Sequence, residues 1–370
     1  MFIALFVIMA IFSVMTKGIF ISSRNISNLV NQTGYIAVLA VGMTLIIVIR
    51  HIDLSVGYLA GFLGAVAAIA LAFWNMPLIV VIPMVLALGV LGGLITGFPV
   101  AQLGIPAFVT SLASWLIYHG FLQLSTAGTG TIIISNPTFN AIGNGFIPDF
   151  PDFGFLPGVH KLTLLVGIIG IVLLIMNQIN SRRNKQSYNF EVLSTDIFIL
   201  KLLFMSALIG YITWVLAGYN GISWTLVIVL VVVGIYDFIT SKTIIGRYIY
   251  AVGGNPDAAQ LSGINVKNIT LAELLSPFGV FVSLSARTSA TTAAGTGFEL
   301  DAIAAAYVGG VSAAGGVGKV TGSIIGALVM TSLTSGMNLM SIDISYQYIV
   351  RGAVLAAAVI FDVMTRNRGK

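Results

Sequence analysis

An all-α, polytopic membrane helix bundle of about ten to twelve crossings is the fold class the sequence predicts, and three observations carry it. The 370 residues are 58% apolar and 8% charged, where an ordinary soluble domain is roughly half apolar and a quarter charged. The apolar residues gather into long runs, and about 20 residues rise roughly 30 Å as a helix, enough to span a hydrocarbon core. The basic residues between the runs are placed unevenly, as they are where one side of a membrane is the cytoplasm. A soluble enzyme is excluded.

Twelve runs bounded by polar breaks are candidate spans: 1 to 16, 30 to 49, 54 to 73, 77 to 98, 105 to 125, 161 to 180, 196 to 217, 222 to 240, 269 to 287, 300 to 314, 318 to 339 and 345 to 363. The first has no basic leading region and is followed by many more spans, so it reads as a membrane helix and not as a signal peptide. The segment 126 to 160 is rich in Gly, Thr, Asn and Pro, closes on Pro148, Asp149, Pro151, Asp152 and Pro157, and predicts an extended outside loop. Ser181 to Gln186 reads as a basic inside turn. The run 300 to 314 is short for a crossing, and Gly309, Gly310, Gly315, Gly316 and Gly318 interrupt the next turn. Half-helices or a re-entrant element are expected there, because broken backbone at membrane depth survives only where protein or a cavity surrounds it.

If all twelve cross with the N-terminus inside, twelve basic residues from Arg50 to Lys370 face inward, Lys17, Arg24, Lys161 and Arg287 face outward, and Arg351 lies within a span, accounting for all seventeen. The bias predicts an N-in, C-in orientation. The whole of 1 to 370 reads as one transmembrane domain, with 126 to 160 outside and 241 to 268 inside. With no Cys, and with His51, His119 and His160 far apart, no metal cluster is expected. So few charges in so much apolar sequence also argue against nucleic-acid binding.

The longest polar inside segment, 241 to 268, predicts one short helix. Asn255 can cap it, Pro256 suits the first position, Asp257 complements the positive end, and Gly263 can take the left-handed conformation that ends it. Ala258 and Leu261 then share a face that fits another protein's groove, although a loop with a stable turn has the same residues. Asp53 is positioned to cap a helix beginning at Leu54, and Glu299 and Asp301 to start another at its positive end. Thr110 and Ser111 can satisfy backbone carbonyls of their own helix or contact a ligand. Gly315 to Thr321 imitates a phosphate loop, but Ala313 and Val320 occupy places where that motif needs Gly and a hydroxyl residue. No nucleotide site is evident, so any ATP that drives the protein must bind a partner.

The string from Gly246 to Ile264 resembles the cytoplasmic coupling loop of sugar-importing ABC permeases, the ribose, xylose and galactose permeases among them. Three further stretches resemble the same family in the same order: His51-Ile-Asp53-Leu-Ser55-Val-Gly57, Gly104-Ile-Pro106-Ala-Phe108-Val-Thr110-Ser-Leu112, and Gly295-Thr-Gly297-Phe-Glu299-Leu-Asp301-Ala-Ile-Ala-Ala. His51 and the extra pair of spans around residue 182 resemble the multiple-monosaccharide, xylose-type branch most. The resemblance implies a non-enzymatic permease of the bacterial plasma membrane that forms a monosaccharide path by alternating access. It implies as partners a second permease copy, membrane lipid, an extracytoplasmic sugar-binding protein, and a cytoplasmic ATPase that holds ATP and Mg. It assigns Gly246, Arg247, Asn255, Pro256, Ala258, Leu261 and Gly263 to coupling with the ATPase. Asp53 and Ser55 would line the inner exit of the path, Glu299 and Asp301 would touch the solute or a delivery protein at the outer mouth, and Thr110 would contact the solute, unless these are only structural caps.

The sequence departs from the family pattern at Arg50, where Gly is usual, at His119, where Arg is common, and over 271 to 281, where Glu273, Pro277 and Phe278 replace a small-residue run. An ion-coupled secondary transporter is the alternative. It normally needs ionisable groups near the bilayer midplane, whereas Asp237, Glu273, Asp301 and Asp362 fall near predicted span ends. An intramembrane enzyme is a poorer fit still, because His119 is the sole His in a predicted span and no catalytic partner adjoins it in sequence.

Overall fold

The computed structural model describes residues 2–151, 157–274 and 289–367. In chain order the helices are α1 (Phe2–Met15), α2 (Ser23–Val48), α3 (Val56–Ala72), α4 (Leu78–Leu103), α5 (Ala107–Thr126), α6 (Pro137–Asn144), α7 (Lys161–Ser187), α8 (Thr195–Ala217) and α9 (Trp224–Lys242). They continue with α10 (Ile244–Gly254), α11 (Pro256–Leu261), α12 (Val266–Leu274), α13 (Phe298–Val308), α14 (Val320–Leu339) and α15 (Ile344–Asn367). Two short strands, β1 (Ile132–Ile133) and β2 (Ser289–Ala290), pair antiparallel with Ile132 opposite Ala290. Seven of the described helices, α2, α4, α7, α8, α9, α14 and α15, are long and apolar enough to cross a membrane, and α1 and α3 are shorter apolar helices. The fold is a polytopic helical membrane protein.

The described residues form two compact units, one of 21–28 and 146–223 and the other of the remainder. In the larger unit α2 and α14 are central, each with 72% of its most apolar stretch buried. Met43 and Ile47 of α2 pack with Ile249 and Phe298 in one buried cluster, and Leu63 of α3 packs with Tyr118 and Leu122 of α5 in another. Small residues set the close approach of α13 to α14: a side chain at Gly326 would overlap the carbonyl of Ala305, so only glycine lets the backbones meet. In the smaller unit α7 and α8 form a hairpin with 11% of each apolar stretch buried.

Several boundaries correct the expectations. α2 begins at Ser23, seven residues before the predicted 30, because Ser, Asn and Gln do not break a helix whose backbone bonds are made. α4 runs past the predicted 98 and through Pro99 to a left-handed Gly104 at φ 72°. Ser181 to Gln186 is not a turn: α7 continues to Ser187, since Arg, Lys and Gln are good helix formers, and the chain turns at Asn189 with φ 57°. The segment 126 to 160 is not simply extended, for it contains β1 and α6, the latter capped by Asn136, whose Oδ1 accepts from the Phe139 N–H at 3.0 Å. α13 has 11 residues, about 16 Å by helical rise, and Gly310, Gly315 and Gly316 come after it at positive φ. It is too short for a crossing, as the sequence predicts. Of the run 269 to 287, Pro277, Phe278 and the side chain of Glu273 lie outside the described residues.

Candidate functional site

Two places in the larger unit carry the residues that the sequence singles out. The first is the segment after α9. It contains α10 and α11 where one short helix was expected; α10 is the added one, started by Thr243, whose hydroxyl accepts from the Gly246 N–H at 3.3 Å. A side chain at Gly253 would overlap the Val48 carbonyl, and one at Gly246 the carbonyls of Ile239 and Thr240. These glycines permit contact inside a helix whose buried face is Gly246, Ile249, Val252 and Gly253.

Arg50 locks this segment to the end of α2. Its φ of 68° is the left-handed conformation that Gly would supply. Its guanidinium donates from Nε to the Gly253 carbonyl at 2.7 Å and from Nη2 to that of Gly254. A cation thus sits on the negative end of α10, and the departure from Gly keeps the turn while adding a clamp. Sequence reasoning missed this role, because the partners lie two hundred residues away.

α11 forms as its local chemistry requires. Asn255 Oδ1 accepts from the Ala258 N–H at 3.1 Å, Pro256 occupies the first turn, and Gly263 has φ 84°. Ala259 is buried while Ala258 is exposed, and Leu261 is 90% exposed. Arg247 and Tyr248 are exposed on the outer face of α10. Arg247, Tyr248, Ala258 and Leu261 thus offer apolar area and a cation on the surface of this segment, with Asp257 exposed beside them.

The second place surrounds the starts of α3 and α13. Asp53 does not cap a helix at Leu54. The helix begins at Val56, and Asp53 Oδ1 instead accepts from the N–H and the hydroxyl of Ser55 at 2.7 and 2.6 Å. Beyond Ser55 a row of hydroxyls continues through Thr96 to Tyr118, at 3.4 and 3.5 Å, and the Tyr118 hydroxyl donates to the Gly92 carbonyl at 2.7 Å. Glu299 and Asp301 lie in the first turn of α13, as expected. Glu299 is buried. Trp115 Nε1 donates to its Oε1 at 3.2 Å, while its Oε2 has no partner among the described residues and fills the place where a side chain at Gly57 would sit.

Asp53, Ser55 and Glu299 therefore gather around the first turn of α3. The resemblance sets Asp53 and Ser55 apart from Glu299 at opposite ends of the path, whereas Glu299 Oε2 lies against Gly57, two residues after Ser55. Asp301 points the other way. Arg351 Nη1 donates to both its carboxylate oxygens at 3.0 and 3.1 Å and the guanidinium stacks over Tyr348 at 4.8 Å. Together with Tyr35, Leu300 and Met330 they line a cavity of about 240 Å³. The Thr110 hydroxyl donates to the carbonyl of Pro106, just ahead of its own helix, at 3.5 Å, and the Ser111 hydroxyl donates to the Ile52 carbonyl at 3.4 Å. No group of three metal-ligating side chains occurs among the described residues.

A family model described as "Branched-chain amino acid transport system / permease component" matches residues 25–359. The chain is 41% identical to the xylose transport system permease protein of Haemophilus influenzae, covering all of this chain and 96% of that one. The xylose transport system permease protein of Escherichia coli K12 is 36% identical over 99% and 91% of the two chains. The ribose import permease protein of the same strain is 33% identical over 97% and 92%. No solved structure matches the chain. With the similarity running nearly end to end and the apolar helices to match, the chain belongs to this family of ABC importer permeases and is a multi-pass protein of the bacterial inner membrane.

Proposed function

We propose that the chain forms the path of a binding-protein-dependent, ATP-driven importer of xylose or closely related aldoses. The observation that carries this reading is the full-length similarity to two xylose permeases, at 41% and 36% identity, above the 33% to a ribose permease. A cytoplasmic ATPase holds ATP and Mg, and its motion enters through α10 and α11, where Leu261 and Ala258 offer a seat and Arg50 ties that seat to α2. A sugar-binding protein delivers the solute from outside.

Two copies of the chain enclose the path. The most apolar stretch of α15 has no buried residue, yet the same helix bears Arg351. A charged group at membrane depth is costly against lipid, so the side of α15 that holds the Asp301–Arg351 pair faces the path or the second copy. The pair presents N–H donors and carboxylate acceptors together, which suits weak, replaceable bonds to sugar hydroxyls. Alternating access then needs two states that the ATPase and the binding protein favour differently.

The test is co-purification from the native membrane followed by uptake of labelled xylose and ribose in cells that lack their own pentose transport. An ATPase and a solute-binding protein should accompany the chain, and xylose uptake should require both. Uptake that persists without the ATPase would establish the ion-coupled alternative. Because the chain has no Cys, Ser262→Cys reports orientation directly. It should resist an impermeant thiol reagent added to intact cells and react in inverted vesicles.

A further inference from the structure

The α7–α8 hairpin carries a cavity separate from the two places described above. At one end of the hairpin Gln178, Ser181, Arg182 and Lys185 of α7 face Phe198 and Lys201 of α8 across a cavity of about 320 Å³, with Glu191 from the connecting turn at its edge. Three cations against one carboxylate leave an excess of positive charge, and no ion pair joins Glu191 to any of them among the described residues. Two of the cations are held in place. Arg182 lies over the Phe198 ring at 4.5 Å and donates to the Thr195 hydroxyl at 3.0 Å, while Lys201 Nζ donates to Gln178 Oε1 at 3.2 Å. Lys185 has no described partner and lines the same cavity.

The helices leading away from this cavity are apolar and bare: Leu165, Ile168 and Leu173 of α7 and Ile197, Leu200 and Leu203 of α8 are exposed. A solvated basic turn would account for cations alone. It does not account for cations that converge on a cavity at the head of an apolar hairpin, on the side that the charge bias assigns to the cytoplasm. A ligand with a phosphate at one end and hydrocarbon at the other satisfies both halves of the feature. We propose that the cavity binds the phosphodiester headgroup of an anionic phospholipid of the inner leaflet, its acyl chains lying along α7 and α8. Basic pockets between membrane helices on the cytoplasmic side take such headgroups, each nearby Lys or Arg strengthening binding about fivefold.

The proposal is tested on the full-length protein in a mild detergent, by thermal unfolding with added cardiolipin, phosphatidylglycerol, phosphatidylcholine or inorganic phosphate, and by native mass spectrometry of retained lipid. Cardiolipin or phosphatidylglycerol should raise the melting temperature and be retained, and phosphatidylcholine should do neither. Lys185→Gln breaks no described contact, so it should keep the melting temperature in phosphatidylcholine while weakening the anionic-lipid effect about fivefold. The triple variant R182Q/K185Q/K201Q should abolish that effect. An anionic-lipid effect unchanged in Lys185→Gln would overturn the proposal, and so would an equal shift from inorganic phosphate alone, which would make the site one for free phosphate. If the triple variant fails to insert, Lys185→Gln decides the matter by itself.

Discussion

The starts of α3 and α13 look alike in sequence, each an acid or two ahead of or within a first turn rich in small residues, and they differ in what their acids touch. Asp53 is consumed locally, its Oδ1 holding the N–H and hydroxyl of a residue two positions on. The acids of α13 reach far: Glu299 to Trp115 and Asp301 to Arg351, 184 and 50 residues away. An acid satisfied by its neighbours shapes a turn. One satisfied across the fold, or left with a buried oxygen that has no described partner, is the better place to look for chemistry with a solute.

The contrast breaks most visibly at Arg351. Replacing it with Gln leaves Asp301, whose side chain is 12% exposed, without its cation, and removing one partner of a buried pair costs about 3 kcal/mol or more. Arg351→Gln should therefore lower the melting temperature in detergent and abolish uptake. Arg351→Gln combined with Asp301→Asn should restore much of the stability, because no lone charge remains, but not the uptake. Full recovery of uptake in the double variant would reduce the pair to a structural tie.

Glu299→Gln and Asp53→Ala sharpen the contrast. Gln keeps the shape of Glu299 and still accepts from Trp115, so stability should change little while uptake falls if the free oxygen serves the path. Asp53→Ala should cost about 1–2 kcal/mol through the lost turn bonds, with uptake per folded molecule near normal. The reverse pattern would mean that the acid ahead of α3 is the one that meets the solute.

At the coupling surface the two expected effects separate cleanly. Gly263 has φ 84° and open space around it, so Gly263→Val should cost only backbone strain, about 1–2 kcal/mol. Ala258 is exposed, and Ala258→Asp should leave stability within about 0.5 kcal/mol yet place a charge on the seat proposed for the ATPase. Both variants should insert normally and lose sugar-stimulated ATP hydrolysis. Normal hydrolysis in both would remove α11 from the coupling route.

Legibility in the sequence divides in the same way between near and far. The cap of α11 could be read because Asn255, Pro256 and Gly263 act within eight residues of one another, and apolar run length located the long helices because a bilayer fixes it. The reason for Gly253 is its contact with the Val48 carbonyl, which is invisible without the fold. Charge misled at Ser181 to Gln186, since basic residues mark a side of the membrane without ending a helix. The tie between Arg50 and the end of α10 spans some two hundred residues, and no local pattern announces it.

The smallest effect expected is at the start of α7, outside the apolar runs. Asp149 accepts the backbone N–H groups of Lys161 and Leu162, each at 2.8 Å, and lies 3.6 Å from His160. Desolvation opposes its charge, but the N–H donors of Leu162, Lys161 and Phe150 and the neighbouring His160 outweigh it and hold the carboxyl down at about 2, against an ordinary 3.8. Because the folded value is the lower one, the ionised carboxylate contributes its stability fully above pH 3.8, and that contribution fades as pH falls through about 2. An anion at a helix start also complements the dipole, which an amide does only weakly. Asp149→Asn should therefore melt slightly below the parent at neutral pH, with the gap closing between pH 4 and pH 2. A gap that stays constant across that range would mean that the carboxylate's shape, and not its charge, secures the start of α7.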